Sequence, residues 1–317
     1  MNTRVKSNLF LFLAAIIWGF AFVAQVEVAG HIGDMSFNGV RCLLGAFSLI
    51  PVILIFEREK LSLTQWTPYI KYGLLCGTVL FAATNLQQRG IVLMNSAGKA
   101  GFLTGLYTVL VPVISVIFLK KKSSLNIWIG AVLAVLGLSL LCLPDSNSAV
   151  GTSALDQTVG TIITLIGAVF WALHILLIDR LAYDLSPIKF SASQFFICGL
   201  LSIIGAAIFE IESIPALVEQ VAAVKWPILY GGLMSVGIAY TCQVVGQRDA
   251  NPTAAAIILS TESVFSALGE MLFYCIIVRD PEFEMMSPVG WIGCLIMFAG
   301  IVVSQVSFPK GLFRKRA

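Results

Sequence analysis

Residues 9–28 read LFLFLAAIIWGFAFVAQVEV, and this stretch decides the fold class of the chain. It contains a single charged residue, Glu27. An α-helix of that length rises about 30 Å, which is the thickness of the hydrocarbon core of a bilayer. Arg4 and Lys6 precede it, as in a signal peptide, but the run exceeds the roughly 7–15 apolar residues of such a peptide. We therefore interpret it as a retained transmembrane helix.

Further apolar runs follow the first along the whole chain. Hydrophobic residues make up 58% of the sequence and charged residues 12%, against about 25% charged in an ordinary soluble domain. Lipid offers no partner to bare backbone groups, so runs this long and apolar predict helices rather than barrel strands. The predicted fold is an all-α polytopic membrane protein with ten transmembrane helices, at residues 9–28, 37–56, 69–90, 97–119, 125–143, 158–179, 188–209, 227–247, 253–277 and 288–307. Residues 211–225 are a candidate for a short interfacial helix.

The distribution of Lys and Arg predicts the orientation in the membrane. With the N-terminus in the cytoplasm, 15 of the 20 basic residues lie on the cytoplasmic side and 5 on the other. This bias follows the positive-inside rule. An even number of spans places the C-terminus, with its basic tail 310–317, in the cytoplasm as well. We expect a multi-pass protein of the plasma membrane, specifically of a bacterial inner membrane.

Several classes of site and partner are disfavoured by the composition. The net charge of +3 is too small to indicate a nucleic-acid partner. The seven cysteines lie in apolar stretches without a CxxC pair, which predicts neither a disulfide framework nor a metal site. The sequence contains no HExxH, GxSxG or Walker A motif. We expect no metal, no cofactor and no catalytic activity.

An internal repeat relates the two halves of the chain. An offset of 153 residues aligns Trp18 with Trp171, and an offset of 156 aligns Gln87 with Gln243. Each half holds five predicted spans, an odd number, so the second half enters the membrane from the opposite side. We therefore predict two inverted repeats of five helices, in residues 1–146 and 157–309. Secondary transporters often use this architecture, with the substrate site near the midplane between the repeats.

Specific motifs resemble a known family. The longest reads SAGKAGFLTGLY at residues 96–107; others are AIIWG at 15–19, FNGVR at 37–41, LQQRG at 86–90, AVFWA at 168–172, NPTAAA at 251–256 and LSTESVF at 259–265. Together they resemble the drug/metabolite transporter superfamily, in particular its EamA-type carriers with ten helices, over nearly the whole chain. The resemblance implies a secondary transporter of amino acids, related metabolites or drugs, often an exporter. Family members often have proline where Ser263 stands and Gly-Glu where residues 118–121 read FLKK, so the substrate does not carry over.

Polar side chains at midplane depth are the candidates for substrate binding. An ionisable group inside a bilayer costs about 2.5–3.5 kcal/mol, which makes Glu262, about 14 Å into span nine, the first candidate. We expect it to contact a cationic or hydrogen-bonding substrate, or to carry a coupling proton. The matched indoles of Trp18 and Trp171 suit a pocket for amphipathic solutes. The predicted substrate-binding set is Trp18, Asn85, Gln87, Tyr107, Trp171, Gln243 and Glu262. For each, interhelical packing is the alternative.

Five further residues are candidates for gating or coupling. Lys99 pairs with Glu27 in an extracellular latch, or it extends to the membrane interface. Arg41 forms a gate or a structural ion pair. His174 is a proton relay or a packed hydrogen-bonding residue. Glu270, two turns after Glu262, is expected to face the outer half of the same cavity.

Three classes of function remain after these observations. The leading one is a secondary transporter of small organic solutes that works by alternating access around a midplane cavity. A proton is the candidate coupling ion. An intramembrane enzyme acting on a lipid-soluble substrate is the alternative, and a receptor or scaffold is the third. The expected partners are a small-molecule substrate and the lipid bilayer. A monomer and a homodimer both remain open.

Overall fold

The structure, a computed structural model, describes residues 3–57, 62–118, 120, 124–141, 153–279 and 288–305. These residues form helices and turns, and no strand occurs among them. The α-helices are α1 (Thr3–Glu27), α2 (Asp34–Phe56), α3 (Leu63–Met94), α4 (Ala97–Gly105), α5 (Tyr107–Ile117), α6 (Leu125–Leu141), α7 (Ala154–Leu181), α8 (Pro187–Phe209), α9 (Ile214–Ala223), α10 (Lys225–Leu229), α11 (Tyr240–Gln247), α12 (Pro252–Leu259), α13 (Glu262–Leu272) and α14 (Pro288–Gln305). Two segments are π-helical, Tyr230–Ala239 and Phe273–Val278. The predicted basic tail 310–317 lies outside the described residues.

Helical segments overlie each predicted span. In the described part, seven stretches are long and apolar enough to cross a membrane: Arg4–Glu27, Asp34–Phe56, Ala97–Ile117, Ala154–Leu181, Pro187–Phe209, Lys225–Gln247 and Pro252–Val278. α6 and α14 contain shorter apolar stretches. α3 has 32 residues but is less apolar, because it contains Lys71 and the polar run from Gln87 to Arg89. The predicted all-helical class is confirmed, and length and hydropathy alone support seven spans.

Two of the predicted spans, 97–119 and 253–277, are each interrupted by a turn between two α-helices. α4 and α5 meet at Leu106, and α12 and α13 meet at Ser260 and Thr261. The hydroxyls of Ser260 and Thr261 donate to backbone carbonyls three residues earlier, at 2.9 and 2.6 Å, and so compete with the hydrogen bonds of a continuous helix. Tyr107 begins α5 and Glu262 begins α13. The two helix junctions therefore place a phenol at the start of α5 and a carboxyl group at the start of α13.

α6 and α14 cross at two pairs of glycines. A β-carbon added at Gly130 would lie 2.7 Å from the carbonyl oxygen of Gly300, and one added at Gly137 would lie 2.5 Å from that of Gly293. The earlier glycine of α6 meets the later glycine of α14, so the two helices are antiparallel. Small residues allow this close backbone approach, which is the usual basis of helix association in membranes.

α2 and α8 form a second antiparallel pair. The side chain of Met35 packs over Gly205, and that of Leu43 packs over Gly199. Midway between the helix ends, the buried thiols of Cys42 and Cys198 lie 3.6 Å apart. The pair thus packs along most of its length, and it forms one wall of the bundle.

Candidate functional site

A small cavity lies at the centre of the bundle, beside the two helix junctions. It has a volume of about 30 Å³, which is enough to hold water. Six of the seven residues predicted to bind substrate line it, namely Trp18, Gln87, Tyr107, Trp171, Gln243 and Glu262. The structure therefore brings together side chains that are up to 244 positions apart in the sequence.

The side chain of Glu262 lines the cavity. The hydroxyl of Tyr107 donates to its Oε1 atom at 3.1 Å. Glu262 is 4% exposed and Tyr107 is 3% exposed. Among the described residues the other carboxyl oxygen has no hydrogen bond, so it is available to a cation or a donor in the cavity.

Three aromatic rings surround the middle of the cavity. The ring of Tyr240 lies 4.6 Å from that of Trp18 in an edge-on arrangement and stacks on Trp171 at 6.0 Å between centroids. The Trp18 indole donates to the carbonyl oxygen of Ser235 at 3.3 Å. The indole N–H of Trp171 is buried and has no hydrogen-bond partner among the residues that the structure describes. The rings therefore offer apolar faces and one free donor, which suits an apolar or cationic group of a solute.

The two repeat-related glutamines differ in their bonding. Gln87 donates through Nε2 to the hydroxyl of Thr104 at 3.0 Å, which ties α3 to α4. Gln243 is fully buried, and in the described part of the chain neither its amide nitrogen nor its amide oxygen has a hydrogen-bond partner. Buried polar atoms in native proteins are nearly always hydrogen-bonded. Gln243 is thus the amide in this cavity that is best prepared to bind a solute.

Arg41 contributes a buried positive charge to the same cavity. It is 3% exposed, and its Nε atom donates to Asn38 Oδ1 at 2.8 Å. The guanidinium also lies 5.1 Å from the ring centroid of Phe37. No ion pair joins Arg41 to Glu262 in the described part of the chain. The cavity therefore holds a cation and a carboxyl group that are each free to pair with a ligand.

Asn85, which the sequence predicts to bind substrate, is not among the residues that line this cavity. Its Nδ2 atom donates to the hydroxyl of Ser202 at 3.0 Å and to the Phe81 carbonyl oxygen at 2.8 Å. Its Oδ1 atom accepts from Asn38 at 3.1 Å. Since Asn38 in turn holds Arg41, Asn85 belongs to a network that positions the guanidinium.

The residues of the predicted extracellular latch have other partners. Lys99 donates to Gln157 Oε1 at 2.5 Å, and Glu27 accepts from the Tyr274 hydroxyl at 3.4 Å. Lys99 and Glu27 are not paired with each other. Lys99 thus connects the start of α4 to α7 instead of joining α4 to α1.

Glu270 caps a helix instead of facing the cavity. Its carboxyl oxygens accept from the backbone N–H groups of Ala97 at 3.3 Å and Gly98 at 3.1 Å. These donors belong to the first turn of α4, where the N–H groups lack partners within the helix. Glu270 therefore fixes α4 against α13.

His174 packs beside the cavity without lining it. It is fully buried, and its Nε2 atom lies 2.9 Å from Gln194 Oε1. The ring packs edge-on against Trp171 at 6.0 Å and Tyr240 at 6.2 Å. This geometry supports the packed, hydrogen-bonded interpretation of His174. In the described residues, no group of three or more His, Cys, Asp or Glu side chains is placed to hold a metal ion.

Four lining residues with polar side chains were not predicted from the sequence: Gln25, Thr104, Ser235 and Tyr240. Tyr240 precedes Gln243 by three positions, which is nearly one helical turn. An aromatic residue one turn from a candidate amide was the signal that could have identified it. Ser235 contributes a backbone carbonyl, and no sequence pattern indicates that contact.

Comparison with known proteins identifies the family. A model of the EamA-like transporter family matches residues 5–143 and 158–305. An uncharacterized transporter of Archaeoglobus fulgidus is 26% identical over 306 residues, which is 95% of this chain and 86% of that protein. The uncharacterized transporter YoaV of Bacillus subtilis is 26% identical over 257 residues, 80% of this chain and 84% of that protein.

A solved structure supports the fold. A chain described as "Crystal structure of protein" superimposes with a TM-score of 0.70 at 17% identity and covers 95% of this chain and 97% of its own length. At that identity the likeness concerns the fold alone. The matched family, the transporter relatives and the apolar helices agree with each other. The chain belongs to the EamA-like transporter family and is a multi-pass membrane protein.

Proposed function

We propose that this protein is a secondary transporter of small organic solutes that works by alternating access around the central cavity. The observation that carries the proposal is the buried Glu262–Tyr107 pair at the junctions of two broken helices, in a cavity that the buried Arg41 also lines. Transporter sites near the midplane are typically formed by discontinuous helices. Family membership and the transporter relatives support the same class of function.

The proposed architecture is ten spans in two inverted repeats, residues 1–146 and 157–309. The glycines of the α6–α14 crossing support it, because Gly130 and Gly293 are separated by the same 163 positions as Gly137 and Gly300. Exchanging the two repeats at this offset therefore turns the contact between Gly130 and Gly300 into the contact between Gly137 and Gly293. The helix breaks at Leu106 and at Thr261 support it in the same way, since each lies just before a cavity residue.

The favoured substrate class within this function is a zwitterion with an apolar side chain, such as an amino acid. A carboxylate of the solute would pair with Arg41, and its ammonium group would pair with Glu262. Charge-assisted hydrogen bonds of this kind are roughly twice as strong as neutral ones. The rings of Trp18 and Trp171 would hold the side chain, and the free amide of Gln243 would accept or donate a further bond.

The narrow form of the cavity is consistent with this cycle. Its volume of about 30 Å³ leaves little room for a solute, and the helices that line it would separate to admit an amino acid. We propose that the inverted repeats open the cavity alternately to the two sides. Export is the direction that the family resemblance implies, and a proton competing for Glu262 is the proposed coupling ion.

The proposed location is the plasma membrane, with both termini in the cytoplasm. The distribution of basic residues supports this orientation. Cysteine labelling of residues introduced near either terminus, in intact cells and in inverted vesicles, tests it directly.

Solute flux tests the proposed function. Purified protein in liposomes should move a radiolabelled amino acid down its gradient faster than protein-free liposomes. A matched series should separate the charges: the amino acid, the amine lacking its carboxylate, and the acid lacking its ammonium. We expect the intact zwitterion to be transported fastest. Flux equal to that of empty liposomes across a broad panel of zwitterions, amines, acids and nucleosides would contradict the proposal.

A further inference from the structure

A second and larger pocket lies behind α1, on the face of that helix away from the central cavity. It has a volume of about 590 Å³, within the range of about 300–1,000 Å³ that is typical of ligand pockets. α1 is the common wall, because Trp18 and Gln25 face the central cavity while Phe20 and Glu27 face this pocket. The other walls come from α10, α13 and the two π-helical segments.

The pocket opens towards the bilayer. Trp226 is 71% exposed, Ile276 is 62% exposed and Ile277 is 70% exposed, although all three line it. In a membrane-spanning chain, exposed apolar side chains of this kind face lipid. The molecule that reaches this pocket most readily is therefore one that resides in the membrane.

A carboxyl group lines this apolar pocket, and an ammonium group lies beside one of its lining rings. Glu27 is the lining residue with an ionisable carboxyl group, and its hydrogen bond from Tyr274, at 3.4 Å, is long. It has no ion pair among the described residues. The ammonium group of Lys225 lies 5.8 Å from the ring centroid of Trp226, which also lines the pocket. Glu27 ends α1 and Lys225 begins α10, and the proposed topology puts both at the outer interface.

We propose that this pocket is a binding site for a phospholipid with a primary ammonium headgroup, such as phosphatidylethanolamine. The ammonium would donate to Glu27, and the phosphate would pair with Lys225. An acyl chain would lie against Phe20, Phe273 and Ile276. Phosphatidylcholine lacks N–H donors for Glu27, and phosphatidylglycerol lacks the cation.

A lipid in this pocket would stabilise the position of α1. The ring of Tyr230 lines the pocket, and its hydroxyl donates to the carbonyl oxygen of Ile17 at 2.9 Å, next to Trp18. Lipid binding at this site can be measured directly, so its test does not depend on which solute is transported.

Native mass spectrometry of the detergent-purified protein tests this site. The protein is mixed with equimolar phosphatidylethanolamine, phosphatidylglycerol and phosphatidylcholine of equal chain length. We expect the wild type to retain phosphatidylethanolamine at least fivefold over the other two lipids. Glu27→Gln should remove that preference, while Glu27→Asp should keep most of it. Glu219→Gln, on the exposed face of α9, is the matched control and should leave it unchanged.

Two results would overturn the proposal. One is equal retention of the three lipids by the wild type, a measurement that requires no variant to fold. The other is a preference for phosphatidylethanolamine that survives in a folded Glu27→Gln protein.

Lys225→Gln should lower retention of both phosphatidylethanolamine and phosphatidylglycerol, because both lipids carry the phosphate that Lys225 would pair with.

Discussion

Glu57 and Glu210 are the C-cap residues of α2 and α8, and each contacts the beginning of the other helix. Glu210 accepts from the backbone N–H groups of Met35 and Ser36, both at 2.8 Å. Glu57 accepts from the Ser186 hydroxyl and pairs with Lys189 at 3.2 Å. The two glutamates are 153 positions apart, the offset that aligns Trp18 with Trp171. Both ends of the α2–α8 pair are therefore held by equivalent carboxyl groups.

The ion pair of Glu57 with Lys189 gives the first prediction. Lys189 is 6% exposed, so Glu57→Gln leaves a buried ammonium without its counter-charge. Removing one partner of a buried pair costs about 3–5 kcal/mol, and we expect a clear fall in the thermal unfolding midpoint in detergent. Adding Lys189→Met to this variant should restore much of the loss. A single variant that unfolds at the wild-type temperature would show that the pair adds nothing to stability.

The glycine crossing of α6 and α14 gives the second prediction. Gly137→Ala places a β-carbon 2.5 Å from the Gly293 carbonyl oxygen, so the helices must separate and the yield of folded protein should fall. Gly167→Ala is the matched control, since its nearest contact would be at an ordinary 3.4 Å. The control should be neutral, or stabilising by about 1 kcal/mol, because alanine favours helix over glycine. Size-exclusion profiles of the two variants make the comparison, and equal profiles would contradict a tight crossing.

The third prediction concerns the selectivity of the cavity. If Arg41 binds the carboxylate of a zwitterion, Arg41→Gln should slow flux of the amino acid by at least tenfold. Flux of the amine lacking that carboxylate should change much less, because it makes no contact with the guanidinium. Competition between the two solutes in proteoliposomes measures the ratio of amino-acid flux to amine flux. If Arg41→Gln leaves this ratio unchanged, Arg41 packs against Phe37 and Asn38 and does not bind the carboxylate.

Coupling to protons gives the fourth prediction. If a proton replaces the ammonium of the solute at Glu262, external acidification should accelerate efflux from loaded proteoliposomes. Glu262→Gln cannot exchange a proton at this position and should remove that acceleration. The control is an ionophore that collapses the imposed gradient. Efflux that is indifferent to the gradient in the wild type would exclude proton coupling while leaving facilitated transport intact.

Much of the site could be predicted from the sequence because the bilayer restricts where polar residues occur. Glu262, Arg41 and Gln243 stand out in apolar runs, since the cost of burying them demands a partner or a function. The helix breaks at Leu106 and Thr261 were not predicted, because local hydroxyl–carbonyl bonds cause the second one and leave no hydrophobic signature.

The structure adds which helix lies opposite a given side chain. Helical periodicity gives the direction in which Glu270 points, but not that the free N–H groups of α4 lie there. The same limit applies to Asn85, whose neighbours Asn38 and Ser202 come from α2 and α8. Periodicity within one helix contains no information on contacts between helices that are distant in sequence.

Transport by the Glu262 variant tests the central claim most directly. Initial rates of amino-acid flux should be measured in proteoliposomes for the wild type, Glu262→Gln and Glu219→Gln, at equal amounts of folded protein. We predict that Glu262→Gln transports at least tenfold more slowly, and that Glu219→Gln transports at the wild-type rate because it lies on exposed α9. If Glu262→Gln transported at the full wild-type rate, that result would contradict a substrate site built around Glu262 and Tyr107.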